Sequence, residues 1–202
     1  MKLFLDTANL ADIKEALEGG FIRGITTNPS LLSKEPKGNY LEHMRKIVAL
    51  AENHKDISLS VEVFTNDKKE MVKQAKEFAR TLGYKHLAVK IPVSYKGESN
   101  LAVIRELTQE GVTVNCTACM TPLQLMMAAA SGAKFVSLFY NRLRDAGGDK
   151  DKDKRSPDAE NYENKEGFDP DKVLRETRTL LEDYPGSEII VGSIRTAFDV
   201  KQ

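Results

Sequence analysis

The sequence predicts an α/β fold, specifically a (β/α)₈ barrel, and three observations lead to that fold class. Short apolar runs alternate with longer amphipathic segments through the chain, which indicates parallel strands joined by helices. In nearly every run one face is apolar, and the other carries a polar residue close to the C-terminal end. An open sheet covered by helices on both sides would have two apolar faces. The asymmetry therefore favours a barrel, whose inward polar residues line the interior and the active site.

The predicted elements follow one another in a regular order. Seven runs are predicted strands: KLFLDTA, IRGITTNPS, ISLSVEVF, HLAVKIPV, VTVNCTAC, FVSLFYNRL and SEIIVGSIR. Helical patterns lie between them, at about residues 9–18, 38–54, 66–82, 99–110, 121–131 and 169–183. Asn66 and Thr121 are predicted N-caps, Thr121 because Pro122 follows it at the first helical position. Gly83 and Gly111 stand where helices should end.

We expect residues 1–202 to form a single barrel domain, although only seven strands are evident. The sequence ends at TAFDVKQ, where a helix after the seventh strand should run, so an eighth strand has no sequence to form it. Either the chain is short relative to longer relatives or the barrel is closed by other means. Residues 145–168, rich in alternating Asp and Lys, are interpreted as an exposed, flexible loop. A lid over the catalytic end is the alternative for this loop.

Composition excludes several classes of function. Thirty basic residues balance thirty acidic ones, so the chain as a whole has no field that attracts nucleic acid or an anionic membrane. No apolar run approaches the ~20 residues of a membrane span, and the N-terminus lacks signal-peptide features. These features predict a cytoplasmic protein.

Cys116 and Cys119 form a C-x-x-C motif that has two possible uses, a redox pair or half a zinc site. A zinc site needs about four ligands, and the three histidines lie far off in sequence without ligand spacing. We interpret the cysteines as small part-buried residues, and we predict no metal.

Lys90 is the principal candidate for catalysis. It lies in the strand LAVKIPV on the face opposite Val89 and Ile91. Desolvation favours the neutral form of an amine, and a neutral amine can attack a carbonyl to form a Schiff base. The alternative is a lysine that is paired to an inward carboxylate, and Asp6 and Glu62 are available. The two interpretations overlap, because Schiff-base chemistry needs groups that move protons.

The remaining inward and rim residues suggest the substrate. Neutral hydrogen-bonding side chains, which suit a polyol, line the inward face: Thr26, Asn28, Asn115, Thr117 and Ser137. Arg142 and Arg195, with Ser193, come just past the ends of the sixth and seventh strands. Because a guanidinium matches phosphate oxygens, two arginines at matching positions favour a sugar phosphate over separate surface ion pairs.

These residues carry a family resemblance. In order, the segments FLDTAN, GITTNPSLL, VEV, VKIPV, VNCTA, SLFYNR and GSIR resemble the transaldolase family, in particular its short-chain branch, which includes fructose-6-phosphate aldolases. The resemblance runs from Met1 to about Val200, apart from residues 145–168. It implies a class I (β/α)₈ barrel that needs neither metal nor cofactor.

The resemblance also implies a role for each matching position. Lys90 matches the Schiff-base lysine, and Asp6 matches the acid/base aspartate. Glu62 matches a glutamate that holds a catalytic water together with Thr117. Asn28 and Asn115 match donors to substrate hydroxyls and to the intermediate. The matching phosphate site is Arg142, Ser193 and Arg195.

Three positions favour transaldolases over simple aldolases within the branch. The aldolases resemble one another in having glutamine, tyrosine and alanine where this chain has Glu62, Phe139 and Ser137. We therefore predict transfer of a dihydroxyacetone unit between sugar phosphates in the non-oxidative pentose phosphate pathway. The alternatives are a fructose-6-phosphate aldolase activity and a catalytically inactive sugar-phosphate-binding protein. Short-chain relatives associate into rings, so we expect a homo-oligomer that binds neither nucleic acid nor membrane.

Overall fold

A computed structural model describes residues 1–146, 169–196 and 199–200. Seven parallel strands form one sheet within these residues, in the order β1-β2-β3-β4-β7-β8-β9, and β5 and β6 form a separate two-stranded sheet. The strands are β1 (Leu3–Asp6), β2 (Ile22–Thr26), β3 (Ser58–Glu62), β4 (Leu87–Pro92), β5 (Ser94–Tyr95), β6 (Glu98–Ser99), β7 (Val114–Cys119), β8 (Phe135–Phe139) and β9 (Glu188–Gly192).

Helices follow most of the strands. They are α1 (Leu10–Glu18), α2 (Pro29–Leu32), α3 (Tyr40–Glu52), α4 (Lys68–Leu82), α5 (Leu101–Gln109), α6 (Pro122–Ala130), α7 (Tyr140–Ala146) and α8 (Pro170–Leu180), with a 3-10 turn at Leu181–Asp183. Contacts divide the chain into two compact units. The first unit comprises Met1–Ile91 and Arg105–Asn115, and the second comprises Pro92–Ile104 and Cys116–Gln202.

The first unit contains the parallel pairs β1–β2, β2–β3 and β3–β4. Apolar residues of β3 and β4, such as Leu59 and Val89, are fully buried and belong to its core. Helix α4 begins at Asp67, whose carboxylate accepts a hydrogen bond from the Glu70 backbone N–H, so the predicted cap at Asn66 is wrong by one residue. The helix ends at Gly83, where φ is +57°, as its left-handed C-cap requires.

The second unit contains the parallel pair β8–β9, and α6 packs against α8. Helix α6 begins with a capping box: the Thr121 hydroxyl accepts from the Gln124 N–H, and the Gln124 side chain accepts from the Thr121 N–H. The predicted cap at Thr121 is confirmed. Asp169 caps α8 with its carboxylate, which accepts from the N–H groups of Asp171 and Lys172.

The predicted α/β fold with seven strands is confirmed, and the order of the predicted elements is retained. Three short elements were not predicted, namely α2, α7 and the β5–β6 hairpin. The predicted loop 145–168 falls outside the described residues from 147 onward, while Asp145 and Ala146 end α7. The single-domain organisation stays a prediction. Within the described part of the chain, every helix is too short or too polar to cross a membrane.

Candidate active site

Lys90 and Glu62 form an ion pair in the first unit. The register of β3 and β4 places the two residues side by side. The Lys90 Nζ lies 3.1 Å from Glu62 Oε2, and it donates a second hydrogen bond, also 3.1 Å long, to the carbonyl oxygen of Thr27. Lys90 is buried, with 7% of its surface exposed. The buried amine thus has two acceptors, one charged and one neutral.

This environment explains why a lysine is tolerated in the strand. A buried ammonium without a partner is strongly unfavourable, and a carboxylate within hydrogen-bonding distance offsets that penalty. The same carboxylate is the group beside Nζ that can accept its proton. A buried amine next to a base has the arrangement needed for attack on a carbonyl carbon.

Asp6 and Thr26 are joined on the neighbouring strands β1 and β2. They are paired in register, and the Thr26 hydroxyl donates to Asp6 Oδ1 over 2.7 Å. Thr26 is in turn paired with Ser60 of β3, whose hydroxyl accepts a hydrogen bond of 3.1 Å from the Asn115 amide. The first unit therefore contains five predicted site residues in three bonded pairs: Asp6 with Thr26, Glu62 with Lys90, and Asn115 with Ser60.

Asn28 has a local structural role as well as its predicted one. Its Oδ1 accepts from the Leu31 N–H over 3.0 Å and so caps the short helix α2, which begins with Pro29. The cap uses one of the two lone pairs of Oδ1, so this oxygen and the amide nitrogen can both still bind another group.

Tyr40, the first residue of α3, is a further polar residue that the sequence did not single out. Its hydroxyl is buried and has no hydrogen-bond partner among the described residues, and its ring packs edge-on against Phe64 at 4.6 Å. Burial, followed by the negative charge of Glu62, raises the pKa of Tyr40.

Thr117 lies in the part of β7 that belongs to the second unit. Its hydroxyl is buried and has no hydrogen-bond partner among the described residues. The next residue, Ala118, has φ of +62°, an unusual conformation for alanine. This residue interrupts the alternation of the strand, so that Cys116 and Cys119 lie with their sulfur atoms 3.7 Å apart.

Both cysteines are free and fully buried, rather than part-buried as predicted. A hydrogen bond to Cys119, followed by burial, raises the pKa of the Cys116 thiol, so the unreactive thiol form is favoured. The described residues contain no group of three or more His, Cys, Asp or Glu side chains that could hold a metal ion.

Phe139 and Arg142 are in contact in the second unit. Phe139 is the last residue of β8, and α7 begins at the following residue. The Arg142 guanidinium carbon lies 4.7 Å from the centre of the Phe139 ring, in a cation–π arrangement. Ser137, two residues before Phe139, is buried in the same strand and paired in register with Ile190 of β9.

Ser193 and Arg195 follow the last strand, β9. Ser193 has φ of +62°. The Arg195 guanidinium forms two hydrogen bonds with the Asp145 carboxylate, 3.2 and 2.5 Å long. The predicted phosphate ligand is therefore paired to an exposed carboxylate, which an incoming anion would have to displace.

Two residues that fix this segment were missed by the sequence analysis. Asp199 is buried, and its carboxylate accepts from the N–H groups of Arg195 and Thr196 and from the Asn141 amide. Asn141, in α7, is fully buried. The spacing T-x-x-D at Thr196–Asp199, which resembles a capping box, was the available signal.

The chain matches the family model described as "Transaldolase/Fructose-6-phosphate aldolase" over residues 3–202. It is 42% identical to a "Probable transaldolase" of Thermoplasma volcanium, over 99% of this chain and 78% of that protein. A second "Probable transaldolase", from Dehalococcoides mccartyi, is 41% identical over 74% of this chain and 65% of that protein. The chain belongs to the transaldolase/fructose-6-phosphate aldolase family.

Solved structures support the fold. A crystal structure of a "putative fructose-1,6-biphosphate aldolase" from Coccidioides immitis superposes with a TM-score of 0.57 at 15% identity. The match covers 94% of this chain and 63% of that one. At this identity the likeness concerns the fold alone.

Proposed function

We propose that the protein is a transaldolase that transfers a dihydroxyacetone unit between sugar phosphates through a Schiff base on Lys90. The observation that carries the proposal is the buried Lys90 amine, 3.1 Å from the Glu62 carboxylate on the neighbouring strand. Membership of the family supports the same chemistry. The donor would be fructose 6-phosphate or sedoheptulose 7-phosphate, and the acceptor an aldose phosphate of the non-oxidative pentose phosphate pathway.

The first step would be attack on the ketone of the donor. Glu62 takes the proton from Nζ, the neutral amine adds to the carbonyl carbon, and the carbinolamine loses one water to give an iminium. The Thr27 carbonyl, which accepts from Nζ over 3.1 Å, orients the amine during attack. A carboxylate then removes the proton of the hydroxyl on the next carbon but one.

Asp6 is the proposed base for that proton, and its hydrogen bond from Thr26 holds the carboxylate in one orientation. The carbon–carbon bond breaks and the aldose phosphate leaves, while the electron pair stays on the three-carbon unit as an enamine. The enamine adds to an acceptor aldehyde, whose oxygen receives the proton back. Hydrolysis of the new iminium consumes one water and releases both the product ketose and Lys90, so the cycle balances without any oxidant or reductant.

The buried hydroxyl of Thr117 is the proposed site for the water of hydrolysis, because it has donor and acceptor capacity unused by the described residues. Phe139 carries no hydroxyl, and its ring contacts Arg142 instead. We therefore infer slow release of free dihydroxyacetone, which favours transfer over simple aldol cleavage. Arg142, Ser193 and Arg195 are proposed to bind the phosphate, and Asn28, Asn115 and Ser137 the substrate hydroxyls.

The decisive experiment is borohydride trapping. The protein is incubated with fructose 6-phosphate and borohydride, and its intact mass is measured. We expect a covalent adduct of one reduced dihydroxyacetone unit on the wild type and none on Lys90→Ala. The matched control is Lys76→Ala, which removes a lysine that is also ion-paired, to Glu110, but lies on the surface, and which should leave the adduct unchanged.

The absence of an adduct from a folded wild-type sample would refute the Schiff-base proposal and favour a sugar-phosphate-binding protein. An adduct with free dihydroxyacetone released at the rate of transfer would favour fructose-6-phosphate aldolase activity. Comparing product formation with and without erythrose 4-phosphate separates these two outcomes.

A further inference from the structure

The segment that follows β9 is held by one buried carboxylate. Asp199 Oδ2 accepts from the backbone N–H of Arg195 at 3.0 Å and from that of Thr196 at 2.9 Å. The backbone N–H of Asp199 donates to the Thr196 hydroxyl at 3.3 Å in return. The reciprocal bonds between Thr196 and Asp199 have the pattern of a capping box, and the carboxylate also holds the backbone of Arg195.

The same carboxylate connects this segment to α7. Asn141 donates from its amide nitrogen to Asp199 Oδ2 at 2.9 Å, and to the carbonyl of Ser193 at 2.7 Å. Arg144, one turn further along α7, donates to Asp199 Oδ1 at 3.1 Å. Both Asn141 contacts are to acceptors, so they assign the amide nitrogen, rather than the oxygen, to this side.

The network is electrostatically strong. The Arg195 N–H, followed by the Asn141 amide, holds the pKa of Asp199 well below its usual range. Asp199 therefore stays charged at any neutral assay pH. Because its folded-state pKa is depressed, the stabilisation it provides is present above about pH 4 and is lost as the pH falls toward the folded-state value.

The three proposed phosphate ligands all lie on the elements that this network joins. Arg142 is the residue after Asn141 in α7, while Ser193 and Arg195 lie in the segment after β9. Ser193 has a positive φ, and its carbonyl oxygen accepts the hydrogen bond from the Asn141 amide nitrogen. The Asn141 amide nitrogen and both oxygens of the Asp199 carboxylate are engaged in these hydrogen bonds, so the two residues would act on a substrate through the elements they hold rather than by contact.

We propose that Asp199 and Asn141 are positioning residues for the phosphate group of the substrate, because they fix α7 and residues 193–196 in one arrangement. The inference rests on the proposed function for the identity of the three ligands. Displacing a binding group by about 1 Å can cost as much as two orders of magnitude in rate, so loosening residues 193–196 should weaken phosphate recognition selectively.

The test compares Asp199→Ala and Asn141→Ala with the wild type in two assays that depend on phosphate and one that does not. The first two are the KM for fructose 6-phosphate and the Kd for inorganic phosphate by calorimetry. The third is the rate of borohydride trapping of dihydroxyacetone, which lacks phosphate, on Lys90. We expect KM and Kd to rise about tenfold or more, with kcat and the trapping rate within about twofold.

Two further variants sharpen the result. Asp199→Asn retains one acceptor oxygen for the backbone N–H groups and should recover part of the lost affinity. Asp169→Ala is the matched control, because Asp169 also accepts from two backbone N–H groups in the same unit, at the start of α8. It should leave KM and Kd unchanged.

Equal losses in all three assays would show a merely structural role and overturn the proposal. An unchanged phosphate Kd in a folded Asp199→Ala sample would overturn it as well. Failure of the proposed function is a separate outcome, seen as the absence of trapping on the wild type, and the calorimetric comparison still decides the positioning role in that case.

Discussion

Each of the two units contains an ion pair with short contacts, and the two pairs differ in their exposure to solvent. In the first unit the Lys90–Glu62 side chains are 9% and 20% exposed and their charged atoms are 3.1 Å apart. In the second unit the Arg195–Asp145 side chains are 50% and 44% exposed, and the guanidinium makes two contacts. Distance alone would rank the exposed pair as the stronger one. Burial reverses that order, because removing one member of a buried pair leaves an uncompensated charge in a medium that solvates it poorly.

The difference in exposure also suits the two ion pairs to different chemical roles. A buried pair holds a proton between two groups and keeps water away, which suits covalent chemistry. An exposed pair exchanges partners at low cost, which suits the capture and release of an anion. Under the proposed function, the buried Lys90–Glu62 pair would supply the nucleophile and its base, and the exposed Arg195 a reversible phosphate contact.

The largest expected effect is on stability at the buried pair. Glu62→Leu should lower the free energy of unfolding by about 3 kcal/mol, because the Lys90 ammonium loses its counter-ion. The double variant Glu62→Leu/Lys90→Met should regain most of that loss, since both charges are gone. Urea unfolding of the wild type, Glu62→Leu, Lys90→Met and the double variant measures the coupling free energy between the two side chains. A double variant no more stable than Glu62→Leu would contradict this account of the pair.

The same cycle on the exposed pair should give a much smaller coupling. The coupling free energy between Asp145→Ala and Arg195→Ala should be about 1 kcal/mol or less, because solvent screens both charges. A coupling equal to that of the buried pair would remove the distinction between the two environments.

A moderate effect is expected on phosphate affinity. Asp145→Asn frees the Arg195 guanidinium from its competitor, so the KM for fructose 6-phosphate should fall about two- to fivefold at low salt. The gain should shrink between 20 mM and 300 mM salt, about the range over which screening grows. Asp171→Asn is a suitable control, because Asp171 is an acidic residue of the same unit that accepts a hydrogen bond from Tyr140 rather than from Arg195. A KM that rises in Asp145→Asn would mean that Asp145 orients Arg195 rather than competing for it.

The smallest effect is expected at the cysteine pair, which is buried and carries no charge. Native protein treated with iodoacetamide at pH 8 should remain unlabelled at Cys116 and Cys119, because both thiols are buried and Cys116 favours its protonated form. Mass spectrometry before and after unfolding in urea provides the measurement. Labelling of the native protein on the same timescale would show that this part of β7 opens.

Alternation of apolar and polar residues was sufficient to predict the seven strands of the parallel sheet. Because parallel strands are paired in register, the polar residues of neighbouring strands meet, as Glu62 and Lys90 do. The same reasoning failed at Ala118, since one residue in the left-handed region interrupts the alternation and no local sequence signal marks it. The short helix α7 was missed because the apolar residues of FVSLFYNRL run from β8 directly into it.

Contacts that involve the backbone could not be predicted from side-chain identity. The carbonyl of Thr27 accepts a hydrogen bond from Lys90 whatever side chain residue 27 carries.

Side-chain pairs that are distant in sequence could not be predicted either. Asn141 and Asp199 are 58 positions apart, so only the fold brings them together. The Arg195–Asp145 pair, 50 positions apart, was missed for the same reason.

The Thr27 carbonyl has a consequence for how sequence variation affects Lys90. A side-chain ligand can be deleted by one nucleotide change, whereas a carbonyl is present in every amino acid. Substitutions at position 27 that keep the size of threonine, such as valine, retain this acceptor and lose only the hydrogen bond that the Thr27 hydroxyl donates to the Ser60 carbonyl. Of the two acceptors of the Lys90 amine, the Thr27 carbonyl is therefore retained whatever residue occupies position 27, whereas a single substitution can remove the Glu62 carboxylate.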